Sequence, residues 1–341
     1  MPVLGEKMRA LLATGRIANL PTVCSNVLAG YYVSLSLFPD VNQGALTQAS
    51  SFAPLLFLML SCCIIYVAGC MLGDALDYSF DLKNRPQRPI PLGILDAGRI
   101  KVASYSLFVL ALIILCLISL LTGSLQPDPQ NQLTSIQRHE IFFGCLLSIV
   151  VICYAFYHKK NKPAALIMMG SCRFLLVILA ISFAHKALFR PSPNSEQWLP
   201  PHLAWLASWL IIPAIGVAAY TIILSWVAST ESKPGVFQSR NILTLLLLVV
   251  PLSSMAVAFQ MSNKPEINYL SYSIAMALCY LWMYSGIQAL KKSKPLFVSK
   301  ALAGFCLLDA TFLAPIDPIT AVVCIALFLV ALGLQKIAPA T

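Results

Sequence analysis

An all-α bundle of about nine membrane-spanning helices is the fold class this sequence predicts, on three observations. Of its 341 residues, 59% are hydrophobic. Only 11% are charged, against about a quarter in a soluble domain, too few to build a water-facing surface. Apolar runs of roughly 20 residues, the length that crosses a hydrocarbon core, recur along the whole chain. Length therefore counts spans, and residues 1–341 read as a single transmembrane domain.

The predicted spans are 16–38, 51–73, 100–123, 141–157, 164–184, 203–228, 242–261 and 269–290. A last apolar stretch, 301–335, is too long for one straight span and is interrupted by Asp309, Pro315, Asp317 and Pro318. It reads as one broken helix or as a tight pair, so the count is nine, with ten as the rival. The start of the chain lacks a basic segment, a short apolar core and a cleavage site in that order, which predicts a retained first span.

Charge orients the bundle. With the N-terminus in the cytoplasm, seventeen of the 23 lysines and arginines fall on the cytoplasmic side. Five fall on the other: Arg138, Lys186, Arg190, Lys264 and Lys336; Arg173 lies inside a span. This is the positive-inside pattern, and it accounts for the net charge of +10 without a nucleic-acid partner. The eleven cysteines sit almost wholly in apolar runs and read as small core residues rather than disulfides or metal ligands.

The chemistry concentrates in GCMLGDALDYSFDLKNRPQRPIPLG, residues 69–93. Asp74, Asp77 and Asp81 are spaced i, i+3, i+7, one face of a helix that continues past Gly73. Three carboxylates on one stripe near a membrane repel one another unless cations neutralise them. Lys83, Arg85 and Arg88 follow within one or two turns, and the prolines of RPQRPIP predict an extended, stiff loop. An acid stripe beside a basic loop suits a diphosphate held through a divalent metal. Mg²⁺ takes one or two carboxylates, phosphate oxygens and water, and Lys and Arg hold the remaining phosphate oxygens. The plainer alternative is a solvated charge cluster at a helix end.

These residues carry a resemblance. The chain resembles the UbiA superfamily of intramembrane prenyltransferases, which has an NDxxDxxxD motif after its second helix, followed by an RP-rich loop. Asp74, Asp77 and Asp81 match the three aspartates, and Gly73 stands where the asparagine belongs. GRIANLPTVCSNVLAG, 15–30, is similar to the family's first helix, and CYAFYHKKNKPAALIMMGSCR, 153–173, to its fourth-to-fifth-helix segment. The family's second motif, DxxxD after the sixth helix, is eroded here: YTIILSWVASTESKPG, 220–235, offers only Glu231. The lone glutamate and the YHK…MMGSCR pattern look most like the EboC-like branch, whose members are associated with secondary-metabolite gene clusters.

The resemblance implies a helical bundle around a central cavity opening at the cytoplasmic face. It also implies transfer of an isoprenyl group from a prenyl diphosphate to an aromatic or other lipophilic acceptor, with Mg²⁺ on Asp74, Asp77 and Asp81 and Glu231 as a residual ligand. Lys83, Arg85, Arg88, Lys159 and Lys160 would share the diphosphate charge. Tyr154, Tyr157 and Tyr220 would face an allylic cation. Each secondary residue also has a plainer role. Lys159 and Lys160 serve equally as interfacial anchors, and Tyr154 and Tyr157 as belt residues. Arg173, costly inside a span, lines a polar cavity or pairs with an acid. Asn19 and Asn26 face the cavity or bond a neighbouring helix. His158 reads as a loop residue, and Asp309 is protonated or paired, with no motif behind it. The eroded second motif keeps open a second function, a non-catalytic relative that binds or translocates a lipophilic metabolite. A secondary transporter would need two inverted halves, and no half-to-half symmetry is visible.

Overall fold

The computed structural model describes residues 4–36, 52–124, 139–188, 210–229, 250–261 and 267–337, and every regular element among them is helical. In chain order these are α1 (Leu4–Thr14), a 3₁₀ turn (Ile17–Asn19), α2 (Leu20–Ser36), α3 (Phe52–Leu76), α4 (Tyr78–Asn84), α5 (Ala97–Ser124) and α6 (His139–Tyr157). Then come α7 (Lys162–Leu188), α8 (Ile211–Ser229), a 3₁₀ turn (Val250–Leu252), α9 (Ser253–Met261), α10 (Tyr269–Lys292), α11 (Lys294–Leu313) and α12 (Pro318–Ile337). Eight of the described helices, α3, α5 to α8 and α10 to α12, are long and apolar enough to cross a membrane. The protein is an integral membrane helical bundle. Of the predicted 242–261 span, only the part from Val250 lies within the described residues.

Small polar residues set where the helices start, because the first turn of a helix leaves N–H groups without intrahelical partners. Asp96 Oδ1 accepts from Arg99 N at 2.8 Å before α5, and Asn161 Oδ1 from Ala164 N at 3.2 Å before α7. Asn268 Oδ1 accepts from Ser271 N at 2.9 Å at α10, and Ser293 Oγ from Leu296 N at 3.3 Å at α11.

The apolar tail at 301–335 is a tight pair rather than one broken helix. α11 starts at Lys294, with Pro295 in its first turn, and stops at Leu313; α12 restarts at Pro318. Proline suits a first turn, where its missing N–H costs nothing, and Asp317 Oδ1 accepts from Ile319 N at 3.1 Å to cap the restart. The pairing corrects one placement. Ser299 Oγ donates to Gln335 Oε1 at 2.8 Å, and Gln335 Nε2 donates to Ser299 O at 3.0 Å. Lys336 therefore lies at the same end of the bundle as Lys294 and Lys300, not at the opposite end as nine alternating spans require. The extra turn sharpens the charge asymmetry.

The core is organised around α2 and α11. The latter is the most buried of the spans and packs against α2, α8, α10 and α12. α2 also packs against α3 and α7. At its crossing with α7 a side chain on Gly30 would stand 2.7 Å from the Val177 carbonyl oxygen, so the close approach requires glycine. A smaller apolar cluster forms at the end of α3 that carries the carboxylates: Ala10, Met71, Ala75, Ile90, Leu95 and Ile100. It ties α1, the 85–96 loop and α5 onto the end of α3.

Candidate active site

The three aspartates keep helical spacing although α3 ends at Leu76. Asp77 N donates to Gly73 O at 2.9 Å and Asp81 N to Asp77 O at 2.8 Å, so the i to i+4 ladder passes through the junction into α4. The predicted stripe is present, and each carboxylate has a basic partner. Arg88 Nη1 bridges Asp74 Oδ1 at 3.2 Å and Asp81 Oδ2 at 2.8 Å. Arg16 Nη2 stands 3.9 Å from Asp74 Oδ1. From the turn after α6, Lys159 Nζ reaches Asp77 Oδ1 at 2.7 Å and His158 Nε2 reaches Asp77 Oδ2 at 3.2 Å.

The loop that delivers Arg88 is not extended, as its prolines suggested; it folds back in tight turns. Arg88 N donates to Arg85 O, Leu92 N to Arg88 O, and Gly93 N to Ile90 O. Burial of Ile90 and Leu95 against α3 and α1 favours the compact path, and Gly93, at φ +73, allows the reversal. The same path leaves Lys83 and Arg85 exposed, outside the ion pairs among the described residues. A side chain at Gly73 would meet open space, so sterics do not demand glycine there.

The remaining predicted residues divide by position. Tyr154 joins the site, its ring stacked on His158 with centroids 5.2 Å apart. Tyr157 and Lys160 pack on each other at the surface, with the ammonium 4.8 Å from the ring centroid. Tyr220 is not brought to the carboxylates: it is 2% exposed, and its hydroxyl donates to Ala301 O at 2.8 Å, which makes it a core contact between α8 and α11. Together with Trp282, Met283, Gly286, Ile287, Phe297 and Ala301 it lines a small apolar cavity. Glu231 lies outside the described residues.

Arg173, Asn19 and Asn26 form a second, deeper polar layer. Asn19 Nδ2 donates to the Tyr66 hydroxyl at 2.9 Å, two helical turns below Asp74 on α3. Arg173 donates to Asn26 Oδ1 at 2.7 Å and to Thr22 Oγ1 at 2.9 Å. Its guanidinium lies 5.7 Å from the Tyr66 ring centroid and 4.7 Å from that of Phe305. Asn26 Nδ2 in turn donates to Asp309 Oδ2 at 2.7 Å. The pairing of Arg173 with an acid runs through one amide rather than directly.

Sequence reasoning missed two residues. Arg16 stands at the very start of the predicted 16–38 span, as a lone basic residue with no periodic signal. Its backbone is left-handed, φ 48 and ψ 47, an uncommon state for a residue with a side chain. His158 reads as a loop residue in the sequence, yet it precedes the Lys159 that reaches the site, and that adjacency is the available signal.

Local electrostatics act in opposite directions on the Asp77 pair. Burial works to raise the Asp77 carboxyl, but the hydrogen bonds from His158 and Lys159 outweigh it, and the group sits below its usual range. The bond to Asp77 lifts the His158 imidazole above its usual 6.5, against an opposing effect of burial. The raised histidine contributes stability that is complete below its unfolded value and is lost as pH rises through the folded one. The lowered aspartate contributes stability that is lost as pH falls through its folded value. In metal-free protein, NMR titration of labelled histidine should give His158 a midpoint above 6.5, and Asp77→Asn should bring it down. A wild-type midpoint at or below 6.5 refutes the pair.

The donor set fits a hard divalent cation in kind, since carboxylate oxygens are the ligands Mg²⁺ prefers. Among the described residues no three His, Cys, Asp or Glu side chains converge into a ready cage. Mg²⁺ commonly uses one or two carboxylates with phosphate oxygens and waters, so no cage is needed.

Comparison with known proteins points to the same segment. Residues 42–127 match the UbiA prenyltransferase family. That stretch holds α3, α4 and the turns that carry Arg88. Digeranylgeranylglyceryl phosphate synthase of Methanobrevibacter smithii (strain ATCC 35061 / DSM 861 / OCM 144 / PS) is 39% identical over 83 residues, which is 24% of this chain and 29% of that protein. A solved structure from work on digeranylgeranylglyceryl phosphate synthase in membranes superposes with a TM-score of 0.52, covering 96% of this chain and 99% of that one at 17% identity. The UbiA match is local in sequence, and the likeness of fold runs along nearly the whole chain.

Proposed function

We propose that the protein is an integral membrane prenyltransferase that moves an isoprenyl group from a prenyl diphosphate to a lipophilic acceptor, with Mg²⁺. The observation that carries the reading is the carboxylate stripe of Asp74, Asp77 and Asp81, faced by Arg16, Arg88, His158 and Lys159 at one end of an apolar bundle. In this reading carboxylates of the Asp74, Asp77 and Asp81 stripe, one or two to an ion, would hold Mg²⁺, which would neutralise the leaving diphosphate. Arg88 and Lys159 carry phosphate oxygens, and Tyr154 faces the developing allylic cation. Arg173, Asn19 and Asn26 form the buried polar layer below the stripe. The lysine- and arginine-rich end is the cytoplasmic one, by the positive-inside rule. The lone Glu231 in the second motif and the 153–173 segment favour the EboC-like branch, in secondary metabolism.

The test is transfer itself. Membranes carrying the protein are incubated with labelled prenyl diphosphates and Mg²⁺ over a broad acceptor panel. Product is expected with wild type and not with Asp77→Asn. Equal background turnover from both sinks the enzyme reading and favours a carrier of lipophilic metabolites, the reading that the eroded second motif supports.

A further inference from the structure

We infer that Arg88, backed by Lys159 and Arg16, stands in for the divalent cation in the metal-free protein, so that metal and diphosphate must enter together. The inference rests on the prenyl-diphosphate reading and concerns how that site is loaded. Asp74, Asp77 and Asp81 face three permanent cations, Arg16, Arg88 and Lys159, in direct contact or close to it. The cluster is therefore neutral or, with His158 protonated beside Asp77, slightly positive before any ligand arrives. Asp81, the most buried of the three acids, is held by Arg88 alone among the ion pairs described. Arg88 Nη1 lies between two carboxylates and occupies oxygens that would otherwise be open to a metal ion.

Charge balance gives the consequence. A divalent ion entering alone would leave the cluster with at least two excess positive charges in a partly desolvated site and would compete with Arg88 for the same oxygens. A diphosphate entering alone would meet carboxylates that repel it. With both present, the carboxylates would be free to hold the metal while the displaced Arg88 guanidinium and Lys159 ammonium would hold the diphosphate. Arginine suits that exchange, since its planar fork fits phosphate as well as carboxylate. The loop that carries Arg88 turns tightly on Ile90 and Leu95, which are anchored beneath it. The exchange thus needs only a swing of the side chain. Metal and diphosphate should then show positive coupling, equal in both directions.

The sign of one substitution separates this from a simple phosphate-binding role. A residue that meets phosphate alone, away from the carboxylates, leaves metal affinity nearly unchanged when phosphate is absent. A stand-in cation, once removed, frees the carboxylates. Full-length protein in detergent is titrated with Mn²⁺, read by electron paramagnetic resonance of the free ion, with and without inorganic diphosphate. For wild type, diphosphate is expected to tighten Mn²⁺ binding by roughly 5–150-fold, the usual range of site-to-site coupling. Arg88→Gln is expected to bind Mn²⁺ alone about tenfold tighter than wild type and to lose most of that coupling. Arg16→Gln should shift binding in the same direction by less, since its contact with Asp74 is longer. It provides a second reading if Arg88→Gln proves unstable on thermal unfolding. If both variants bind Mn²⁺ alone no more tightly than wild type, while diphosphate still tightens it, the stand-in role is overturned and the prenyltransferase reading survives. If wild type binds no Mn²⁺ with or without diphosphate, the metal site itself falls, and with it the stand-in role.

Discussion

Asp81→Asn is expected to lower prenyl transfer by about 10²–10³-fold, the usual cost of removing one group that stabilises charge developing in a transition state. Asp81 is the carboxylate drawn furthest into the protein, 2% exposed, and its Oδ2 receives Arg88 at 2.8 Å. Asparagine keeps the shape and removes the charge, so the fold should persist while the site loses an anionic ligand and the partner of Arg88. Lys83→Gln and Arg85→Gln provide the contrast. Both residues lie on the same basic segment but are turned to solvent by the compact loop, and rates within about tenfold of wild type are expected, as for exposed charges that touch nothing fixed. The measurement is initial rate at saturating Mg²⁺ and prenyl diphosphate, normalised to protein amount. A loss for Lys83→Gln or Arg85→Gln as large as that for Asp81→Asn would mean that the loop engages its ligand in another conformation, and the assignment of Arg88 would fail with it.

Arg173→Met is expected to destabilise the protein by about 3–5 kcal/mol, the range for breaking a buried charged network by removing one member. The guanidinium is buried between Tyr66 and Phe305 and holds Thr22 and Asn26 of α2. Asn26 passes that interaction on to Asp309 in α11, so a single relay joins α7, α2 and α11. Methionine fills the space but leaves the Asn26 carbonyl oxygen without its donor and Asp309 without a balancing charge. Asp309→Asn in the same chain should therefore restore part of the loss. Thermal unfolding in detergent of wild type, both single variants and the double variant forms the cycle. Strict additivity would show that Arg173 and Asp309 are independent, and that Asn26 relays nothing between them.

The legible part of this protein was its periodic part. The i, i+3, i+7 spacing of Asp74, Asp77 and Asp81 and the arginines that follow were readable because they are close in the chain. A helix maps such closeness directly onto one face. The local pattern also placed Arg173 and Asp309 as costly intramembrane charges, since an apolar run makes any ionisable residue conspicuous. It did not show that they share Asn26, because residues 26, 173 and 309 meet only when three helices pack.

Loop geometry escaped for a related reason. The prolines of 86–91 argued for an extended path on backbone preference alone, whereas the burial of Ile90 and Leu95 under α1 decided for turns. Tyr220 looked like a cavity aromatic by its place in a motif, and packing against α11 made it core. The tail divided into two helices because proline and a cap can start a helix as well as end one, and composition does not distinguish the two.

Composition and short-range spacing thus determined that the chain is a membrane helical bundle with an acid stripe at the end of a span. They are properties of single helices, set by solvent and by a period of 3.6. Which cations meet the stripe was decided only by tertiary structure. Arg16 comes from the link between α1 and α2, Arg88 from a folded-back loop, and His158 and Lys159 from a turn some eighty residues away. Contacts of that kind depend on which helices pack side by side, a choice made by burial over the whole bundle that leaves no local trace in the sequence.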